Sequence, residues 1–333
     1  MESASHPVHA AGGLRLDSGA GSLPSWGAGA VLGGSAALVA AVLAAAGAFT
    51  VALTLVFGTL LSGAVLYGWS RAVEGGRRAL DRVMTLAIAA AFGLAMIPLF
   101  SLVYEVAKRG IPGLSLEFFT EDARGVVGGG GAAHAIAGTL VITGIAALIS
   151  VPIGIMAAIY LNEYGTGRLR RALTFFVDVM TGIPSIVAGL FAYALFELFL
   201  GPGIRLGVMG SVALSLLMIP IVIRSAEEIL KVVPNHLREA AYALGTPKWR
   251  TIVKVVLRTS IAGITSGITL AIARVIGETA PLLVTVGLTT GVNFNPFSGR
   301  MATLPVFAYN SYSAPGVPRE PFIDRAWTAA LVL

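Results

Sequence analysis

Residues 238–257 read REAAYALGTPKWRTIVKVVL, and five of these side chains are charged. The whole chain is 56% hydrophobic and only 12% charged, and stretches apolar enough to cross a bilayer lie on both sides of this segment. Such a segment is predicted to be a polar loop between two membrane helices. The remaining sequence is therefore interpreted as that of a membrane protein.

The long apolar runs predict an all-α polytopic membrane protein and exclude an ordinary soluble domain. A helix needs roughly 20 apolar residues to cross a hydrocarbon core that is about 30 Å thick. This length gives eight candidate spans: two within 28–67, interrupted near Gly47, and one each in 83–107, 135–161, 173–200, 208–223, 261–288 and from Trp327 onward. The last run stops at Leu333, so the final span is expected to be truncated in this chain.

The distribution of Lys and Arg predicts the orientation of the chain in the membrane. With the amino terminus in the cytoplasm, fifteen of the 23 basic residues fall in inner segments and seven in outer loops, while Arg274 lies inside a span. The net charge of +6 follows this topology and is not gathered on one face, so no nucleic acid is expected as a partner. The chain has no Cys, which excludes disulfides and thiolate metal sites.

The polar loop is predicted to contain two short amphipathic helices at an angle. Pro234 and Asn235 indicate the start of the first helix, with Asn235 as its N-cap. Gly245 is predicted to end it in a left-handed conformation, and Thr246 and Pro247 are predicted to begin the second helix as N-cap and first residue. On physical grounds the pair either lies on the inner leaflet, anchored by side chains such as Trp249, or docks another protein.

The stretch EAAYALG at 239–245 resembles the EAA signature of ABC importer permeases, in which the loop is a coupling helix held in a cleft of the ATP-hydrolysing subunit. The resemblance implies a role in ATPase coupling for Glu239, Ala240, Ala241, Gly245, Thr246, Pro247 and Trp249. The chain contains no G-x-x-x-x-G-K-[ST] phosphate-binding loop. ATP and Mg²⁺ are therefore expected in a partner subunit, with no cofactor in this chain.

Three longer stretches, 160–191, 218–249 and 268–287, resemble the phosphate ABC importer permeases of the PstA type. The resemblance runs from about Arg77 to Leu333, and GETAPLL at 277–283 is its most specific part. It implies a six-helix permease core over 71–333 with a cytoplasmic coupling loop at 234–257. Outside the core lie two accessory transmembrane helices at 28–70 and a disordered cytoplasmic tail at 1–27.

The same resemblance implies a place in a larger assembly in the bacterial cell membrane. The chain would be one permease subunit of an ATP-driven phosphate importer. Its expected partners are a second, PstC-like permease, two PstB-like ATPase subunits, an extracytoplasmic PstS-like phosphate-binding protein and the lipid bilayer.

Arg274 and Glu278 are the strongest candidates for the substrate path. They are four residues apart in an apolar stretch, which predicts that both lie on one face of a membrane helix. A charge at the bilayer centre costs roughly 3 kcal/mol on insertion scales, so such residues normally face a bundle interior. Either the two form an internal salt bridge that positions helices, or Arg274 binds the anion through its planar fork.

Three further residues are candidates for the path. Arg224 ends the apolar run LMIPIVIR and either lines the inner exit or marks the membrane boundary; Glu227 and Glu228 are possible partners for it. The stretch TGIPS contains a helix break that can turn the hydroxyls of Thr181 and Ser185 toward the path.

Other functional classes find less support in the sequence. It shows no pairing of catalytic side chains and no metal-ligand cluster at a useful spacing, so neither an intramembrane enzyme nor a metal site is expected. An ion-coupled secondary transporter would carry an inverted repeat with paired broken helices. The nearest alternative is an ABC permease for another oxyanion, sulfate or molybdate, because charge alone does not separate tetrahedral anions.

Overall fold

The structure is a computed structural model that describes residues 22–124 and 130–333; of the predicted disordered tail, residues 1–21 lie outside this part. The described chain is helical and contains no strand, which confirms the all-α class. Its helices are α1 Gly27–Ala45, α2 Val51–Val73, α3 Gly76–Gly110, α4 Leu116–Thr120, α5 Ala133–Ile159, α6 Gly167–Thr181, α7 Ser185–Leu200, α8 Gly207–Val232, α9 Asn235–Ala243, α10 Lys248–Thr251, α11 Leu257–Ile276, α12 Ala280–Thr285, α13 Leu304–Ser313 and α14 Glu320–Val332.

Several of these helices are long and apolar enough to cross a membrane. Within the described residues there are six: Gly27–Ala45, Val51–Val73, Gly76–Gly113, Ala133–Tyr164, Gly207–Val232 and Lys248–Ile276. The pair α6 and α7 makes a seventh if it is counted as one broken span. The chain is a multi-pass membrane protein.

The predicted span over 173–200 is broken at the TGIPS stretch, as its sequence indicated. The chain bends by 106° between Thr181 and Ser185, which separates α6 from α7. Pro184 has no backbone N–H to continue the helix, and its ring disfavours helical geometry at Ile183. The helix break predicted at TGIPS is therefore confirmed.

The predicted helix over 261–288 is displaced toward the amino terminus. Its helical turns begin at Lys248, pass through a π-helical turn at Ile252–Val256 and end at Ile276. The predicted second short helix of the polar loop is therefore the first part of a membrane helix, because no Gly or Pro interrupts residues 248–262. The carboxy-terminal helix begins at Glu320, earlier than the predicted Trp327.

The described chain forms two compact units, 22–103 and 104–333, with the division inside α3. In the first unit, α1 and α2 occupy the region of the predicted accessory pair. Gly47 lies in the turn between them with φ of 69°, a conformation that suits glycine, at the predicted interruption. Gly58 brings α2 against α1, since a Cβ there would lie 3.3 Å from the Cα of Ala36.

A carboxylate at the end of α2 organises one end of the first unit. Glu74 accepts hydrogen bonds from Arg82 at 2.6 and 2.7 Å, from the Ser70 hydroxyl at 2.7 Å and from the Leu23 amide at 2.8 Å. Its side chain is only 3% exposed. The Arg82 guanidinium, with the Leu23 amide and the Ser70 hydroxyl, lowers the pKa of Glu74 from 4.5 to about 2.

In the second unit, α5 and α8 form a closely packed pair. Ile142, Leu214 and Met218 are fully buried in the core between them. The Ser211 hydroxyl also donates to the carbonyl of Ile142 at 3.1 Å, which satisfies a polar group inside the bundle. Gly154 permits the close approach, because a Cβ there would lie 2.6 Å from a methyl group of Val222.

Replacing Glu74 tests the role of the carboxylate cluster. Glu74→Gln is expected to speed hydrogen exchange of the Leu23 main-chain N–H at neutral pH. The uncharged glutamine side chain cannot form the ion pair with Arg82 that holds this acceptor in place. Since the folded-state pKa of Glu74 is lowered, its contribution is present above about pH 4.5 and lost as the pH falls toward 2. Mass spectrometry of exchange in wild type and variant measures both effects.

The control is Glu105→Gln, which removes an exposed ion pair with Arg109. Equal protection of Leu23 in wild type and Glu74→Gln at neutral pH would contradict the assigned role.

Candidate functional site

The bend between α6 and α7 borders a cavity of about 240 Å³. Four of the five predicted path residues line it: Thr181, Ser185, Arg274 and Glu278. The apolar part of the wall consists of Met180, Ile183, Leu217, Pro220, Ile221 and Val275. We call this space the path cavity. The fold thus brings together residues of α6, α7, α8 and the end of α11 that are far apart in the sequence.

Arg274 and Glu278 both reach the path cavity, although the predicted geometry between them is wrong. The helix α11 ends at Ile276, so Glu278 lies beyond its end and not one turn above Arg274. Both residues belong to the described part of the chain, and no ion pair within 4.0 Å joins them there. Arg274 is exposed in the isolated chain and Glu278 is half-buried. The internal salt bridge considered from the sequence is not formed.

The two predicted hydroxyls differ in whether they already form a hydrogen bond. The Thr181 hydroxyl donates to the carbonyl of Val177 at 2.9 Å, which leaves its oxygen lone pairs as acceptors. Within residues 22–124 and 130–333, no hydrogen bond involves the Ser185 hydroxyl. Ser185 is therefore the hydroxyl that remains able both to donate and to accept at the cavity wall.

Arg224 lies outside the path cavity and is engaged in ion pairs. Its guanidinium contacts Asp178 of α6 and donates to Glu227 at 2.8 Å, and Glu227 also pairs with Lys231 at 2.8 Å. The expected pairing with Glu227 is present, whereas the sequence reading missed Asp178. The isolated acidic residue within the apolar run 172–181 was the signal that could have revealed it. In this structure Arg224 joins α6 to α8.

The polar loop forms a compact projection, residues 234–251, which we call the docking knob. Its first helix ends in a Schellman motif. The N–H of Thr246 donates to the carbonyl of Ala241 at 3.1 Å, and the N–H of Gly245 donates to the carbonyl of Tyr242 at 2.9 Å. Gly245 has φ of 73°, which confirms the predicted left-handed end. Pro234 and Pro247 occupy the N-cap positions, so the predicted N-caps Asn235 and Thr246 are each displaced by one residue.

The surface of the docking knob is unusually apolar for a polar loop. Leu244 is 86% exposed and Trp249 is 58% exposed, and Tyr242 is exposed beside them. Leu244 therefore points away from the protein. Of the residues matched to the EAA signature, Glu239, Ala240 and Gly245 are exposed and Ala241 is buried. Exposed apolar patches of this kind occur where proteins contact other proteins or a membrane surface.

Comparison with known proteins identifies the family. Residues 150–312 match the model of the family described as binding-protein-dependent transport system inner membrane component. This match contains the docking knob and every predicted path residue.

Three curated relatives are each named a phosphate transport system permease protein PstA. The protein of Mycobacterium tuberculosis, PstA 1, is 46% identical over 261 residues, covering 77% of this chain and 83% of that protein. The protein of Mycobacterium leprae is 45% identical over 267 residues, with 79% and 86% coverage. The protein of Yersinia pestis is 40% identical over 269 residues, with 79% and 88% coverage.

Solved structures give a more distant similarity. An inward-facing structure of the MetNI methionine ABC transporter aligns with a TM-score of 0.45 at 20% identity, covering 60% of this chain and 86% of that one. The similarity to the curated relatives extends over most of their length. The chain therefore belongs to the PstA family of phosphate transport system permeases, and these are transport subunits, not enzymes.

Proposed function

We propose that this chain is the permease subunit of an ATP-driven phosphate importer and lies in the bacterial cell membrane with its amino terminus in the cytoplasm. The observation that carries the proposal is the path cavity. Arg274, Glu278 and the hydroxyl residues Thr181 and Ser185 line it together, beside the break between α6 and α7. The names of the relatives supply the substrate, phosphate.

The chemistry of the path cavity fits a protonated oxyanion. Arg274 has no carboxylate partner among the described residues and can offer two parallel N–H donors to the oxygens of phosphate. Ser185 adds a hydroxyl donor at the wall. Glu278 serves as the acceptor for an O–H group of phosphate. An ionised carboxylate only accepts hydrogen bonds, so it can bind the anion only where the anion still carries a proton.

This chemistry distinguishes phosphate from the alternative substrates. Hydrogen phosphate carries a proton near neutral pH, whereas sulfate and molybdate carry none. Glu278 would repel the unprotonated anions, because two negative charges would meet without a hydrogen between them. An ion-coupled transporter is disfavoured by the docking knob, which such a protein does not need.

The partners follow from what this chain lacks by itself. It has no phosphate-binding loop for ATP, so two PstB-like ATPase subunits would supply the ATP–Mg chemistry and dock on the knob. Arg274 is exposed in the isolated chain, and a second, PstC-like permease would cover it and complete the path. A PstS-like binding protein would deliver phosphate from outside.

Replacing Arg274 tests the path directly. In the assembled importer, Arg274→Gln is expected to lower ATP-dependent phosphate uptake into proteoliposomes by about ten- to a hundredfold, because a charge-assisted hydrogen bond is worth about 1.5–3 kcal/mol. The matched control is Arg258→Gln, an exposed arginine at the start of the same helix. Unchanged uptake by Arg274→Gln in an intact complex would exclude Arg274 from the path.

Replacing Glu278 tests the selection among oxyanions. Glu278→Gln removes the negative charge but keeps the shape, so it is expected to weaken the discrimination between phosphate and sulfate during uptake. A competition assay with labelled phosphate and excess sulfate measures the change. If sulfate competes no better in the variant than in wild type, selection does not reside at Glu278.

Replacing Gly245 tests the docking knob. A β-branched residue is strained at φ of 73°, so Gly245→Val is expected to distort the knob and lower phosphate-stimulated ATP hydrolysis, whereas Gly245→Asn is tolerated better. Gly203→Val places the same strain at φ of 79° in the loop between α7 and α8 and serves as the control. Stimulation that survives Gly245→Val, or that falls equally in Gly203→Val, would contradict the coupling role.

A further inference from the structure

A buried ion pair lies at the base of the docking knob. Arg238 of α9 donates from Nε and Nη2 to one carboxylate oxygen of Glu163, at 3.2 and 2.8 Å. The side chains are 13% and 6% exposed. The Asn162 amide donates to the same oxygen at 2.9 Å. The carboxylate is thus held by three donors in a site largely closed to water.

The same guanidinium also holds the end of α8. Arg238 donates from Nη1 to the carbonyl of Val233 at 2.6 Å and from Nη2 to the carbonyl of Leu230 at 3.1 Å. These carbonyls belong to the last turn of α8 and the residue that follows it, where intrahelical partners are missing. One side chain therefore joins the knob to the ends of two different helices.

Glu163 contacts the other side of the knob as well. It lies in the π-helical turn Tyr160–Tyr164 that extends α5, and its main-chain carbonyl accepts a hydrogen bond from Lys248. The Lys248 ammonium also lies 4.8 Å from the centre of the Tyr164 ring. Single π-helical turns occur frequently at functional sites. Glu163 is thus in contact with the side chains of both short helices of the knob.

One of the two helices held by this cluster, α8, forms part of the wall of the path cavity. The core pair α5 and α8 is tied by buried apolar contacts and by hydrogen bonds such as Ser211 to Ile142. Leu217 and Pro220 of α8 line the path cavity. A movement of the knob that is transmitted through Glu163 would therefore reach the cavity wall as a movement of the α5 and α8 pair.

We propose that Glu163 is the positioning residue that ties the docking knob to the α5 and α8 pair. The proposal rests on the proposed function. The continuous helix Lys248–Ile276 is one connection between the knob and the path cavity, and the contacts of Glu163 are a second connection. When the tie is cut, the ATPase subunits still dock and hydrolyse ATP, but the part of the cavity wall that α8 provides no longer follows the knob.

The experiment compares Glu163→Gln with wild type in the complete importer, reconstituted with ATPase subunits, partner permease and binding protein. The measured quantity is inorganic phosphate taken up per ATP hydrolysed. This ratio is expected to fall by about tenfold in Glu163→Gln, because the neutral side chain no longer pairs with Arg238 and the knob loses its ionic tie to the end of α5. Glu163→Asp keeps the charge and is expected to recover part of the ratio. Glu105→Gln, which removes an exposed carboxylate elsewhere, leaves it unchanged.

A wild-type ratio in Glu163→Gln would overturn the proposal. So would a parallel loss of uptake, ATP hydrolysis and assembled complex, because that pattern would show a purely structural role. If wild-type importer takes up sulfate and not phosphate, the assigned substrate fails, but the same ratio measured with sulfate still decides the role of Glu163. The two failures are therefore separate results.

Discussion

The continuity of the helix from Lys248 to Ile276 is the constraint on which the rest of the structure depends. At about 1.5 Å per residue, a 29-residue helix extends roughly 43 Å, which exceeds the hydrocarbon thickness of a bilayer. Its first turn belongs to the docking knob and its last turn carries Arg274 into the path cavity. The surface that would receive force and the cation that would meet the substrate are thus parts of one rigid element.

Breaks elsewhere in the bundle make room for the end of this helix. The bend between α6 and α7 places the hydroxyls of Thr181 and Ser185 beside Arg274, and the end of α11 at Ile276 directs the following chain back to the same cavity. Irregular backbone at membrane depth is stable only where protein or a water-filled space covers it. The second permease that we propose would provide that cover and would bury Arg274, which is exposed in the isolated chain.

The sequence predicted those features that are encoded locally and missed those that depend on distant residues. Apolar runs indicated an all-α membrane protein, and glycine chemistry indicated the left-handed residue at Gly245. Pro184 indicated the break between α6 and α7, whereas the size of the bend, 106°, was not predicted. Arg224 pairs with Asp178, which lies 46 residues away in the sequence, and Arg238 pairs with Glu163, which lies 75 residues away. Both separations are beyond the reach of helical spacing. Packing of α5 on α8 creates the second of these contacts.

The measurement that tests the account most directly is transport by the unmodified complex. Proteoliposomes containing this chain with its partner permease, ATPase subunits and binding protein would be given labelled phosphate, sulfate or molybdate, with and without ATP on the cytoplasmic side. The account predicts uptake of phosphate that requires ATP, with little uptake of the two unprotonated anions. ATP-dependent uptake of sulfate or molybdate in place of phosphate, or phosphate uptake driven by an ion gradient without ATP, would contradict it.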